Sequence, residues 1–258
     1  MSALLEVSGL TKRFGGLAVV DDVSFSLAQG GRLALIGPNG AGKTTVFNLL
    51  CGVYSVTAGS VRFDGVDITG LAARRRIGVG LARSFQNIRL MPHLTVVENV
   101  MLGQQARASG LWTLLSPLRG SRWRREAEAR LAEFGLADFR DRLVSDLPYG
   151  IRKKIEIVRA LMAVPRVLLL DEPAAGLNSR ETAELLQFLG AIAEEGVALL
   201  VIEHDMALVR GLCPDCVVLN FGRKIYEGPT AVVQQDRAVL EAYLGPRDGS
   251  RLATTNVA

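Results

Sequence analysis

Long apolar runs are missing from this chain of 258 residues. Val167 to Leu170 and Val197 to Ile202 fall far short of the roughly 18 to 20 residues needed to span a bilayer, and Met1-Ser2-Ala3 opens no secretory signal. The expectation is a soluble, cytoplasmic protein. Cysteine is scarce as well: three residues, an odd number without an export signal, argue against a disulfide framework. Cys213-Pro214-Asp215-Cys216 has the spacing of a redox pair, but no thioredoxin-like strand and helix precede it. Cys51 reads as a small buried hydrophobe. No heptad stretch supplies a long coiled coil. There is little excess of either charge, since 30 Lys and Arg against 26 Asp and Glu leave +4, which alone selects no partner among nucleic acid, an anionic membrane surface or a phosphate ligand. Trp112 and Trp123 are interleaved with arginine, yet Glu126 and Glu128 dilute the charge of the Arg122 to Arg130 stretch and favour i,i+4 pairing on a solvated face. No nucleic-acid partner is expected.

The chain does contain a glycine-rich phosphate loop, Gly37-Pro38-Asn39-Gly40-Ala41-Gly42-Lys43-Thr44, of the form G-x-x-x-x-G-K-T. Its glycines let successive backbone N–H groups turn inward on an anion, and Lys43 adds a point charge for the outer phosphates. The Thr44 hydroxyl is left for Mg²⁺. The loop follows the short apolar strand Arg32 to Ile36 and precedes a helix beginning near Thr45, whose N-terminus faces the phosphates. Composition is that of a folded globular protein, 49% hydrophobic and 22% charged, large enough for one big core or two small ones.

Alternation of apolar residues predicts strands at Leu4 to Val7, Val20 to Leu27 and Ser60 to Asp64, which suggest a small, largely antiparallel sheet. Phe14 stands before Gly15-Gly16 in the connecting turn, where its ring can stack on an adenine or plug a hairpin. Leu71 to Arg76 reads as a short helix with three arginines on solvated surface, and Ile77 to Ser84 as an apolar strand ending near Gln86, where open α/β sheets bind ligands. From Met91 to about Leu143 the pattern is helical, with helices at Val96 to Ala106, Ser121 to Phe134 and Ala137 to Leu143. A second glycine turn, Leu147-Pro148-Tyr149-Gly150-Ile151, then opens a helix carrying Ile151, Ile155, Val158 and Met162 on one stripe, with Lys154, Glu156 and Arg159 largely off it. That is a second candidate anion site.

Val167 to Leu170 followed by Asp171-Glu172 is the pattern of a buried parallel strand delivering carboxylates at its C-terminal end. Asp171 is placed to orient Mg²⁺ and its waters, and Glu172 to polarise the attacking water. Val197 to Ile202 ends at Glu203-His204-Asp205, so His204 shares that rim. Val217 to Asn220 and Lys224 to Glu227 finish as strands, Met206 to Leu212 and Ala238 to Leu244 as helices, and the tail 246–258 is expected to be disordered.

In that order these motifs resemble the ATP-binding subunit of ABC transporters over roughly Leu4 to Gly245. The resemblance implies an α/β fold: a P-loop NTPase (RecA-like) core with an antiparallel β subdomain, at about 1–90 and 145–230, and an inserted α-helical subdomain at about 91–144, all within one ATP-binding domain, 1–245. It implies ATP and Mg²⁺ as cofactors. Phe14 aligns with the adenine-stacking aromatic; Gly37, Pro38, Asn39, Gly40, Ala41, Gly42, Lys43, Thr44 and Thr45 with the phosphate loop; Gln86 with the glutamine linking Mg²⁺ to the membrane-subunit interface. Leu147 to Ile151, with Pro148, Tyr149 and Gly150 at its centre, matches the signature motif. Asp171 matches the metal-orienting acid, Glu172 the general base, Ala175 to Asn178 the loop crossing to the partner subunit, and His204 the γ-phosphate switch.

Narrower features resemble one branch, the ATPase of branched-chain amino acid (LivG-type) importers: Arg83-Ser84-Phe85-Gln86-Asn87-Ile88-Arg89-Leu90, the Tyr149-Gly150 of the signature, Glu172 to Asn178, and the ending Glu241-Ala242-Tyr243-Leu244-Gly245. The partners implied are a second ATPase subunit in a head-to-tail homodimer or heterodimer, integral membrane permease subunits and, indirectly, a solute-binding protein, placing the chain peripherally on the cytoplasmic face of the plasma (inner) membrane. Related urea and amide importers share much of the pattern, and a soluble, non-transport ABC ATPase is the reading from another class. The signature departs from L-S-G-G-Q: Pro148 removes a hydroxyl and an N–H, and Ile151 a polar side chain. A lost hydrogen bond to a charged phosphate is worth roughly 1.5 to 3 kcal/mol, so weak self-association is expected.

Overall fold

The computed structural model describes residues 3–84, 88–107 and 119–244. β1 (Ala3–Phe14) and β2 (Leu17–Ala28) form an antiparallel hairpin, and register shifts along it break the simple alternation of the sequence, so β1 runs far beyond the expected Val7. Next come β3 (Arg32–Ile36), the phosphate loop and α1 (Lys43–Leu50). β4 (Ala58–Phe63) pairs antiparallel with β1, and β5 (Val66–Asp67) with β4, closing a four-stranded sheet in the order β2-β1-β4-β5.

α2 (Ala73–Gly78) takes in Ile77, so β6 (Leu81–Arg83) starts later than the apolar pattern implied. Parallel pairing begins only where the carbonyl of Gly80 accepts the N–H groups of Arg166 and Val167, at 2.8 and 3.0 Å. The three arginines of α2 are not all solvated surface. Arg76 is 2% exposed and donates to the carbonyls of Leu49, Leu50, Thr69 and Leu71 at 2.6 to 2.9 Å. The C-terminus of α1 leaves such carbonyls without helical partners, and the guanidinium fan satisfies them.

α3 (Val96–Leu102) starts with a capping box between Thr95 and Glu98 and gives way to a 3₁₀ turn at Gly103–Arg107. α4 (Arg119–Glu133) follows. The helix expected at Ala137 to Leu143 shrinks to a 3₁₀ turn at Ala137–Phe139, because the carbonyls of Arg140 and Arg142 instead accept the first N–H groups of α3, from Val97 and Val96. α5 (Tyr149–Leu161) begins at the second glycine turn.

β7 (Val167–Asp171), α6 (Ser179–Glu194), β8 (Ala198–Ile202), α7 (Met206–Leu212), β9 (Asp215–Asn220), β10 (Arg223–Pro229) and α8 (Arg237–Leu244) complete the order. The second sheet runs β10-β9-β3-β8-β7-β6, parallel throughout except for β10 on the edge. Apart from the edge strand β10, its strands are largely buried on both faces, as a parallel sheet between layers requires. Alternate residues divide between two cores. Leu33, Leu35, Leu169, Leu200 and Val217 join α1 and the four-stranded sheet. Ala34, Ile36, Leu170, Val201 and Val218 join the helices from α3 to α8. Loops at the C-terminal ends of β3, β7 and β8 therefore meet on one rim.

Cys213 and Cys216 are free and buried, and burial pushes the Cys213 thiol up to about 12. Thiolate chemistry is disfavoured there. Cys51 packs against the core around α1, and burial raises its thiol as well.

Candidate functional site

Gly37 and Gly42 take φ of 147° and 99°, and both are pressed by backbone: a Cβ would lie 2.1 Å from Leu219 O at Gly37 and 2.7 Å from Val19 O at Gly42. The loop is thus wedged between the start of β2 and the β9–β10 hairpin, whose Gly222 N–H donates to Ala41 O at 3.0 Å. Gly42 in its left-handed conformation is the N-cap of α1, with no side chain bonding the first turn. By contrast, α3, α6 and α7 are capped by Thr95, Asn178 and Asp205. The opening N–H groups of α1 remain available to an anion.

Lys43 is 6% exposed, and its Nζ donates to the carbonyls of Gly37 (2.7 Å) and Pro38 (3.0 Å). Burial pulls its ammonium below the usual lysine range, while the charges of Glu172 and Asp171 push it back up. A cleft of about 230 Å³ is lined by Val19, Asn39 to Thr45, Glu172 and His204. It brings together a loop, a strand end and a histidine that are far apart in the chain.

Glu172 leaves β7 with φ 47°, in the left-handed region that non-glycine residues seldom enter, at a cost of order 1–3 kcal/mol. Its N–H donates to Ile202 O at 2.9 Å, so the strained turn is tied to the end of β8. There His204 Nε2 lies 3.0 Å from Glu172 Oε1. A carboxylate beside an imidazole at the mouth of a phosphate-sized cleft can accept a proton from water and hold a second group in place. Glu203 fixes this corner. It is 3% exposed and accepts from the N–H groups of Ala174 (2.6 Å), His204 (2.9 Å) and Asp205 (3.4 Å). Burial raises its carboxyl above the usual range against those three donors and the adjacent charge of Glu172 adds to the rise.

Asp171 is 2% exposed, and its Oδ2 accepts from Arg83 Nη2 at 2.6 Å. Arg83 Nη1 donates to Asn48 Oδ1 at 2.7 Å. Asp171 Oδ1 is buried with no hydrogen-bond partner. A buried carboxylate oxygen without a donor, on the rim that carries the Thr44 hydroxyl, fits a hard cation with few protein ligands and the rest from phosphate and water, as Mg²⁺ prefers. Among the described residues no group of three or more His, Cys, Asp or Glu forms an all-protein cage.

The second glycine turn does not line this cleft. Pro148 is the N-cap of α5 and, like Gly42, offers no side-chain cap. The Tyr149 ring packs beside Gly176, so the turn rests on the loop leading into α6. Phe14, at the hairpin, is 44% exposed and meets the Tyr54 ring edge-on at 5.3 Å, so it is no buried plug. Gln86 lies outside the described residues, as does the tail 246–258.

Besides Arg76 and the fully buried Lys153, three charged residues take positions that local sequence does not announce. Glu156, expected off the buried stripe of α5, is 1% exposed: its Oε1 accepts from Arg89 N at 3.0 Å while Arg159 Nη1 donates to Arg89 O at 2.6 Å. Arg83 and Glu203 are the other two. For Arg83 and Glu203 the available signal was a lone charged residue at the end of an apolar strand, which surface placement explains equally well until the neighbours are known; Glu156, inside α5, had no such signal.

A family model described as ABC transporter matches residues 20–175. The chain is 41% identical over 249 residues to the high-affinity branched-chain amino acid transport ATP-binding protein BraF of Pseudomonas aeruginosa, covering 94% of this chain and 98% of that protein. It is 39% identical, with the same coverage, to the corresponding LivG of Escherichia coli strain K12. Among solved structures, an ATP-binding cassette of an ABC transporter in an ADP conformation superposes with a TM-score of 0.86 at 28% identity, covering 95% of this chain and all of that one.

Proposed function

The chain belongs to the ABC transporter family as an ATP-hydrolysing, ATP-binding subunit, and from that premise we propose that it powers an importer of branched-chain amino acids through partner membrane subunits. The observation that supports the site reading most directly is the meeting of Lys43, Glu172 and His204 in one phosphate-sized cleft. The substrate class is supported by the likeness to BraF and LivG over nearly their whole length.

In this reading the N–H groups of Gly40 to Thr45 and the Lys43 ammonium hold the phosphates of ATP, and Phe14 stacks on the adenine. Lys43 exchanges its two carbonyl partners for phosphate oxygens as nucleotide enters. Thr44, Asp171 and Gln86 hold Mg²⁺, which when bound neutralises charge on the outer phosphates. Glu172 accepts the proton of the attacking water, and His204, kept in line by the Glu203 corner, steadies Glu172 and the terminal phosphate. Pro148, Tyr149 and Gly150 stand outside the chain's own cleft, and the free start of α5 completes the site of a second ATPase subunit arranged head to tail. In this reading the subunit sits peripherally on the cytoplasmic face of the membrane, against its permease partners; among its described residues no helix is long and apolar enough to cross a bilayer.

The test is ATP hydrolysis by the chain assembled with its membrane subunits and a solute-loaded binding protein, comparing leucine, isoleucine and valine with urea and short amides. Stimulation by the branched-chain amino acids is expected. Stimulation by urea or amides alone would overturn the substrate class and leave the ATPase reading in place.

A further inference from the structure

Arg83 is the last residue of β6, paired in register with Leu169, two residues before Asp171 on β7. Its guanidinium reaches two acceptors on different elements: Asp171 Oδ2 at 2.6 Å and Asn48 Oδ1 at 2.7 Å. Its carbon stands 5.7 Å from the centre of the Phe47 ring on α1. Asn48 lies four residues beyond Thr44 on α1, and residues at that spacing share a helix face. The two arms of Arg83 therefore tie the helix that carries Thr44 to the strand that carries Asp171. The side chains of Arg83 and Asp171 are only 10% and 3% exposed, so water competes little for the bond between them. With Oδ2 occupied, Oδ1 is the carboxylate oxygen left without a protein partner.

We infer that Arg83 is a positioning residue for the metal of the nucleotide site: it sets the spacing between Thr44 and Asp171 and determines which Asp171 oxygen is offered to Mg²⁺. The inference rests on the reading of the cleft proposed above. Simple charge counting points the other way, since a guanidinium beside a carboxylate opposes a second cation there. Orientation outweighs that repulsion because a buried carboxylate deprived of its partner has no water to hold it and turns to whatever donor it finds. The two arguments predict opposite signs for the loss of Arg83.

The experiment is binding of a fluorescent ADP to the full chain, first in EDTA and then across a MgCl₂ titration, for the wild type, Arg83→Met, Arg83→Lys and Asn48→Ala. Partners that orient a metal ligand are worth about 10- to 100-fold in metal affinity, so Arg83→Met should raise the half-saturating Mg²⁺ concentration about tenfold. Arg83→Lys and Asn48→Ala, which each spare part of the bridge, should raise it less, and affinity in EDTA should stay within about twofold in all of them. Should Arg83→Met not fold, the other two variants carry the test. An unchanged or lower Mg²⁺ requirement, or an equal loss of affinity in EDTA, would overturn the inference. A wild type whose ADP binding ignores Mg²⁺ would overturn the metal site itself, a failure visible before any variant is compared.

Discussion

Replacing Arg76 with methionine tests the claim that a buried cation closes the end of the helix that carries the phosphate loop. Arg76 makes four hydrogen bonds to backbone carbonyls, two of them at Leu49 and Leu50, the last residues of α1. At about 0.5–1.5 kcal/mol net for each bond, their loss amounts to roughly 2–6 kcal/mol. Part is recovered because the variant no longer buries a charge, a cost visible in the lowered proton affinity that burial imposes on Arg76. We expect a net loss of about 3 kcal/mol, which at roughly 2–4 °C per kcal/mol lowers Tm by about 6–12 °C. Thermal and urea denaturation of the nucleotide-free chain measure it, with Arg75→Met on the exposed side of α2 as the control. The control should change stability by no more than about 0.5 kcal/mol. Equal effects of the two substitutions would refute the capping role, since both remove the same charge and only Arg76 has the four carbonyls.

Three further outcomes are expected. Glu172→Gln should lower ATP hydrolysis by about 10²- to 10⁴-fold while ATP still binds, as loss of a general base does; in size-exclusion chromatography with ATP the isolated variant should remain largely monomeric, and a stable dimer would contradict the weak closure ascribed to Pro148 and Ile151. Gly42→Ala places a Cβ 2.7 Å from Val19 O at a left-handed φ; strain of roughly 1–2 kcal/mol before the clash is counted should weaken ATP binding about tenfold or more, and calorimetry showing wild-type affinity would refute the wedge. Glu203 has its carboxyl raised by burial, so the folded state holds its proton more tightly than the unfolded chain; its contribution is fully present below the ordinary glutamate value and is lost as pH rises through the folded one. The stability of the wild type relative to Glu203→Gln should therefore be greatest near pH 4 and decline as pH rises toward 7, and a flat or rising difference by urea denaturation would show that the three N–H donors outweigh burial.

How readable a feature was from sequence depended on how far its partners lie along the chain. The phosphate loop was readable because its anion-binding groups are consecutive backbone amides, and so was the buried strand ending in Asp171-Glu172. Elements whose boundaries depend on remote bonds were misjudged: Ile77 stayed helical because pairing begins at Gly80, and the Ala137 to Leu143 segment gave up its helix to serve the first turn of α3.

Sequence alone thus determined the nucleotide chemistry, the α/β class and the order of motifs along the chain, since each is written in neighbouring residues. Tertiary structure alone decided which charges are buried and what they hold. Arg83 meets Asp171 across 88 positions, Glu172 meets His204 across 32, and Glu203 meets Ala174 across 29. A charged side chain can enter the interior only where such partners offset its desolvation, and the strand order that brings them together is a property of the whole fold.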